Sequence, residues 1–278
     1  MAESKNKRKG IAQAETIVER HEAKYLIPYS LVKEIRAFIK PFCDPDFNGK
    51  GDPPEYVINT LQLDGPSMPL HYAKEREALA RFKLRVRTYG MEVGKAPVFL
   101  EIKRKYGAVV VKSRTSIPFE AWNRELMENR TIKIKFRSER EAHAFIEFRR
   151  LAHEIGARPV VIIRYIRESY FGRNDHYARI TFDRALEYQP TQNWNSWGRG
   201  GRWYSMDAAW QQNKSYNFSA CVLEIKTLAD APQWMMDLVQ RFNLTRMGNC
   251  KYSTAIWQEA LFRGTPEIPD YAYELFLT

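Results

Sequence analysis

Disulfide chemistry is the first thing the sequence withholds. It has three cysteines, Cys43, Cys221 and Cys250, an odd number without metal-ligand spacing, which excludes a disulfide framework or a zinc site and predicts reduced thiols. Long apolar runs are missing too. None exceeds four residues; Val160 to Ile163 behind Pro159 is far short of the roughly 20 residues needed to span a bilayer and reads as a buried strand. The basic start, Met1 to Gly10, carries no apolar stretch and is not a secretory signal, so a cytoplasmic protein is expected. Acidic residues are in deficit: 33 Asp and Glu stand against 44 Lys and Arg, a net charge of +11. Such a balance attracts nucleic acid, anionic membrane, nucleotide or phosphate chains, and does not choose among them.

The composition favours a folded protein, with 44% hydrophobic and 13% aromatic residues in 278, enough for a substantial core. One stretch organises the rest. Ala80 to Thr88 reads Ala-Arg-Phe-Lys-Leu-Arg-Val-Arg-Thr, and the period of two puts Arg81, Lys83, Arg85 and Arg87 on one face of a strand. Phe82, Leu84 and Val86 take the other. Two later segments repeat a Glu-x-Lys unit in an apolar frame, Glu101 with Lys103 and Glu224 with Lys226. Several strands charged on one face and apolar on the other predict an α+β architecture, a closed antiparallel β-barrel with helices outside and the charges inside. The interior then calls for a polyanion, with a metal at the carboxylates.

Along the chain, residues 1–14 read as a disordered basic arm and 15–278 as a single domain. Thr16 to Pro28 reads as a strand with Arg20, Glu22 and Lys24 on one face. Ser30 is placed to cap a helix to Lys40, Cys43 to Pro54 reads as a loop, Tyr56 to Asp64 as a strand and Ser67 to Ala78 as a short helix. Lys95 to Lys105 and Ala108 to Thr115 form a hairpin about Tyr106-Gly107, its second arm bearing Lys112 and Arg114. A helix is predicted over Phe119 to Glu128 and an edge strand over Thr131 to Phe136. Ser138 and Glu141 make a capping box for a helix to Ile155, closed by Gly156; its His143 and His153 read as structural. Arg158 to Phe171 and Ala178 to Leu186 read as strands, carrying Arg164 and Arg167, and Arg179 and Asp183. Between about 187 and 219 lies a tryptophan-rich insertion with Trp194, Trp197, Trp203 and Trp210, read as a stabilising folded loop in preference to a base-stacking surface, a lid or a partner patch. Asp230 is placed to cap a helix to Phe242, and Lys251 to Phe262 reads as the last helix.

In these residues the chain resembles the VTC (vacuolar transporter chaperone) domain, the polyphosphate polymerase branch of the triphosphate tunnel metalloenzyme superfamily. The likeness runs from about Glu15 to Trp257. It rests on Glu19-Arg20 with Lys24-Tyr25, on Arg85-Val86-Arg87-Thr88-Tyr89-Gly90, on Glu101 and Lys103 followed by Lys112 and Arg114, on Tyr165-Ile166-Arg167, on Arg179 with Asp183, and on Glu224 in Leu-Glu-Ile-Lys. Arg20 stands where the wider superfamily has Glu, which favours the VTC branch. The family's Lys-Phe-Ser-Lys is present in part, as Lys251-Tyr252-Ser253-Thr254.

The resemblance implies a tunnel in which the γ-phosphoryl group of ATP passes to a growing polyphosphate chain. It assigns catalytic work to Lys24, Arg85, Arg87, Lys103, Arg167 and Arg179. Substrate binding falls to Arg20, Lys83, Lys112, Arg114, Lys226 and Lys251. Glu224, with Glu101 or Glu22, would hold Mn2+ or Mg2+. The expected partners are a nucleoside triphosphate and inorganic polyphosphate rather than nucleic acid, with a separately encoded membrane partner as an option. Phosphoryl transfer suits such a set, because it asks for positioning and charge stabilisation more than covalent chemistry. Two alternatives stay open at this point: a triphosphatase in which water is the acceptor, and a non-catalytic binder of polyphosphate or RNA.

Overall fold

The structure is a computed structural model that describes residues 21–263, apart from 92, 93, 95, 108, 129–133, 176, 199–200, 207–219, 229 and 249. The predicted basic arm, Arg20 and Trp210 therefore lie outside the described residues.

Alternation of apolar and charged residues produces one antiparallel sheet. Its strands are β1 (His21–Pro28), β2 (Cys43–Pro45), β3 (Glu55–Asp64), β4 (Ala80–Tyr89), β5 (Val98–Tyr106), β6 (Val109–Ile117), β7 (Arg158–Gly172), β8 (Arg179–Pro190), β9 (Tyr204–Ser205) and β10 (Ala220–Thr227). They pair in the order β1-β10-β8-β7-β3-β4-β5-β6, with β2 on β7 and β9 on β8. The helices are α1 (Val32–Ile39), α2 (Pro69–Glu75), α3 (Arg124–Glu128), α4 (Glu139–Glu154), α5 (Gln233–Arg241) and α6 (Lys251–Arg263). The fold is thus α+β and mainly antiparallel.

The expected closed barrel is corrected in one respect. Among the described residues no hydrogen-bonded ladder joins β6 to β1, and side chains span the seam instead, Lys103 of β5 reaching Glu22 of β1 at 3.4 Å. The outer edge of β1 is covered by the segment before α6: Tyr25 bridges to Arg246 and Met247 N–H donates to the Lys24 carbonyl at 2.9 Å. Covering an edge satisfies backbone groups that a closed ladder would otherwise pair.

The outer faces hold the core. Leu84, Val86, Leu100 and Ile102 of β4 and β5 pack with Phe145, Phe148 and Leu151 of α4. Ile27, Ile180, Phe182, Leu223 and Ile225 pack under Val32, Ile35 and Ile39 of α1 and Met235 and Leu238 of α5. In β4, Leu84 and Val86 are fully buried at 0% exposure, so the period of two sets which face of the cationic strand meets the helices. A third cluster lies on the inner side, joining Ile58, Ile163, Tyr165 and Val222 to Tyr252 and Ala255 of α6, and four of these residues also line the cavity inside the sheet.

Several local expectations are revised. Ser30 lies inside a 3-10 turn, Tyr29–Leu31, and α1 begins without a side-chain cap. Asp230 does not cap α5, whose N-cap is Pro232. The helix expected over Phe119 to Glu128 is divided into a 3-10 turn, Phe119–Ala121, and α3, because Asn123 Oδ1 accepts the Leu126 N–H at 2.8 Å and restarts the helix. The predicted loop at 43–54 contains β2, paired to the end of β7. Residues 134–136 are not a strand, and 131–133 lie outside the described residues. The box at Ser138 holds, its Oγ accepting from Glu141 N–H at 3.2 Å, although Glu141 returns its bond to Arg137 N–H. The strand predicted to end at Leu186 runs on to Pro190 past Ala185, whose φ of 48° marks a bulge. Beyond it, Trp197 is buried and Trp194 and Trp203 pack against the core.

Candidate functional site

Inside the curl of the sheet is a cavity of about 300 Å³. It is reached by every second residue of the strands, as the pleat requires. All fourteen described candidates line it: Glu22, Lys24, Lys83, Arg85, Arg87, Glu101, Lys103, Lys112, Arg114, Arg167, Arg179, Glu224, Lys226 and Lys251. Arg81, the fourth member of the cationic row on β4, does not. At the start of its strand it donates to the Ala78 carbonyl at 2.7 Å and lies 3.9 Å from Glu77.

The carboxylates fall into two settings. Glu101 accepts from Arg85 Nε at 2.7 Å and lies 3.5 Å from Arg87 and 3.6 Å from Arg114. Burial works to raise its pKa, but these guanidinium groups prevail and hold it down to about 2. Three arginines thus surround Glu101 and serve as its counter-ions. Glu22 and Glu224 instead lie within hydrogen-bonding reach of each other. Antiparallel pairing sets Glu22 opposite Lys226 and Lys24 opposite Glu224, so two Glu-x-Lys units form a square of alternating charge. Lys24 Nζ is 2.5 Å from Glu22 and Lys226 Nζ 3.0 Å from Glu224. Burial opposes ionisation of Glu224, but the cations Lys226 and Lys24, with Arg167, hold its pKa well below the usual range.

Among the described residues no group of three or more His, Cys, Asp or Glu is placed to hold a metal ion. Two adjacent ionised carboxylates nevertheless fit a hard divalent cation of the Mg2+ kind, which takes one or two carboxylates and fills its shell with water and substrate phosphates. Glu22 and Glu224 are the residues that meet that requirement.

Asp183 is fully buried beneath the cavity. It receives both Nε and Nη2 of Arg167, at 2.7 and 2.8 Å, and Lys251 Nζ at 2.7 Å, fixing two cations that then face inward. Arg179 is held by Ser169 Oγ at 3.1 Å and by Asp46 at 3.3 Å. Lysines on the other side of the cavity have few counter-ions. Burial and the neighbouring Lys226, Lys103 and Arg85 push Lys112 down to about 7. Burial pushes Lys103 down to about 8, with Glu22 opposing it.

Some lining residues escaped the sequence reading. Tyr56, Ile58, Thr60 and Gln62 enter from β3, and Tyr89, a motif residue to which the sequence assigned no role, enters from β4. Continuing the period of two one step past Arg87 would have named Tyr89; nothing local marks Thr60. Cys250 also lines the cavity, its Sγ 2.6 Å from Lys83 Nζ. Burial works to raise that thiol, but Lys83 and Ser253 bring it down to about 6.

The VTC domain family model matches residues 19–258. No curated protein matches the chain. Among solved structures, the PH1819 protein of Pyrococcus horikoshii OT3 is 11% identical, with 87% of this chain and 98% of that one covered at a TM-score of 0.41. A Bacillus halodurans protein described as a candidate adenylate cyclase is 11% identical over 84% and 95% of the two chains, with a TM-score of 0.44. The Mimivirus capping enzyme triphosphatase is 12% identical over 82% and 88%, with a TM-score of 0.30.

Proposed function

The chain belongs to the VTC domain family, and from that premise we propose that it is a metal-dependent polyphosphate polymerase, moving the γ-phosphoryl group of ATP onto a growing polyphosphate chain. The observation that carries the reading is the concentration of cations in one cavity. Eleven Lys and Arg side chains line it against three glutamates.

In this reading Arg85, Arg87 and Arg167, with Lys24, Lys103 and Arg179, stabilise the charge spread over the equatorial oxygens of the group in transfer. Planar guanidinium forks suit that task. Lys83, Lys112, Arg114, Lys226 and Lys251 hold the phosphates on either side, a role Arg20 would share. Glu101 and Asp183 act through the arginines they hold. Glu22 and Glu224 take the divalent cation, Mn2+ or Mg2+, which when bound neutralises phosphate charge and orients donor and acceptor. The nucleophile is the terminal phosphate oxygen of the acceptor chain. Bound phosphate is already anionic, so its attack requires no general base from the protein.

A paired assay tests the reading. Purified protein with Mn2+ or Mg2+ is given ATP and followed for long chains, or given tripolyphosphate and followed for orthophosphate. Chains from ATP that vanish in Glu224→Gln are the expected result. Orthophosphate without chains would replace the polymerase with a triphosphatase, and inertness with both substrates would remove the enzyme.

A further inference from the structure

The wall formed by β4, β5 and β6 changes chemistry along its length. Its inward rungs read Lys83, Lys103, Lys112, then Arg85, Glu101, Arg114, then Arg87, Phe99, Ser116. One step further, β4 ends at Tyr89, about 13 Å along the strand from Arg85. Ammonium groups thus give way to guanidinium groups and then to rings.

At the aromatic end, the Arg114 guanidinium lies 3.8 Å from the Phe99 ring centroid and 5.6 Å from that of Tyr89. It also donates to the Tyr89 hydroxyl at 3.3 Å. Tyr89 stands edge-on to Phe99 at 5.5 Å and 79° and lies 6.1 Å from Tyr56. The Arg114 side chain is 44% exposed although it is 3.6 Å from Glu101. Binding phosphate calls for charge and donors, and Lys83, Lys103, Lys112, Arg85 and Arg87 provide both without the outer face of Arg114. A planar cation backed by one ring and flanked by another offers a flat π surface, the kind on which nucleobases stack.

We propose that Tyr89, Phe99 and Arg114 form a base-stacking subsite for a purine nucleoside triphosphate, whose phosphates run from Arg87 and Arg85 toward the lysine rung. This rests on the tunnel reading above and adds to it the means by which the site distinguishes a nucleotide from an inorganic phosphate chain. ATP and GTP, with the larger ring system, bind more tightly than CTP.

Calorimetric titration tests the subsite, using the β,γ-imido analogue of ATP and inorganic tripolyphosphate at one metal and salt concentration. Tyr89→Leu is expected to weaken the nucleotide analogue about tenfold, the order supported by stacking on one ring, while tripolyphosphate affinity stays within about twofold. Tyr89→Phe, which keeps the ring, should retain most of the nucleotide affinity. Equal losses for the two ligands, or an unchanged nucleotide affinity in Tyr89→Leu beside intact tripolyphosphate binding, would overturn the subsite and leave the tunnel standing. Failure of the unmodified protein to bind tripolyphosphate would overturn both.

Discussion

Glu101 and Glu224 are buried carboxylates in the same cationic cavity, 7% and 4% exposed, and their partners separate their roles. Replacing Glu101 with Gln leaves Arg85, Arg87 and Arg114 without a counter-charge. We expect a stability loss of roughly 3 kcal/mol, as for other broken buried ion pairs, with the metal dependence of turnover retained. Glu224→Gln should instead abolish metal-dependent turnover while tripolyphosphate still binds. Denaturant unfolding and a metal titration of activity check the pair; loss of metal dependence in Glu101→Gln would reverse the assignment. Arg85→Ala should lower chain synthesis by about a hundredfold or more, the order seen when one charge-stabilising donor is removed.

The depressed lysines give a pH prediction with a definite sign. Lys112 and Lys103 are held down to about 7 and about 8 by burial and like charges, against about 10.4 for a lysine in the unfolded chain. The empty folded protein therefore binds fewer protons than the unfolded chain between about pH 7 and 10. Their contribution to its stability rises with pH across that window and is lost as pH falls through it. A bound polyanion restores the charged form, so affinity for tripolyphosphate should weaken as pH rises from 7 and binding at pH 8 should take up protons. Calorimetry in buffers of different ionisation enthalpy measures that uptake, and buffer-independent heats would contradict it.

At the scale of elements, the informative cases are those where local chemistry met tertiary demand. The cap of α4 followed from sequence because Ser138 and its partner are three residues apart. Ser138→Ala should cost about 1 kcal/mol, readable as a shift in denaturant midpoint without change in slope. Ser30 and Asp230 are cap-forming residues in plausible places, yet α1 opens through a 3-10 turn and α5 behind Pro232. β2 carries too few residues for a periodic signal and exists because the end of β7 offers it an edge. The charge square of Glu22, Lys24, Glu224 and Lys226 joins two units about 200 residues apart, and only the β1–β10 register brings them together.

For the whole molecule, a cavity lined by eleven cations and three glutamates repels itself when empty. Tripolyphosphate at a hundredfold excess over its dissociation constant should add about 2.7 kcal/mol of stability, a rise in melting temperature of about 5 °C or more for a domain of this size. Added salt should shrink the shift by screening. An unchanged melting temperature at low salt would count against the tunnel.

The sequence alone determined which faces of the strands are charged. A period of two is a local property, and Arg85, Arg87, Lys103, Lys112 and Arg114 are legible from it without knowledge of their neighbours. Its motifs also carried the family. Only the tertiary structure decided what each charge meets: Glu101 enclosed by arginines, Glu22 beside Glu224, Asp183 holding Arg167 and Lys251 from beneath. It also decided that, among the described residues, side chains rather than a hydrogen-bond ladder span the seam. Partnership across a sheet depends on register and curvature, which join residues far apart in the chain and leave no trace in local spacing.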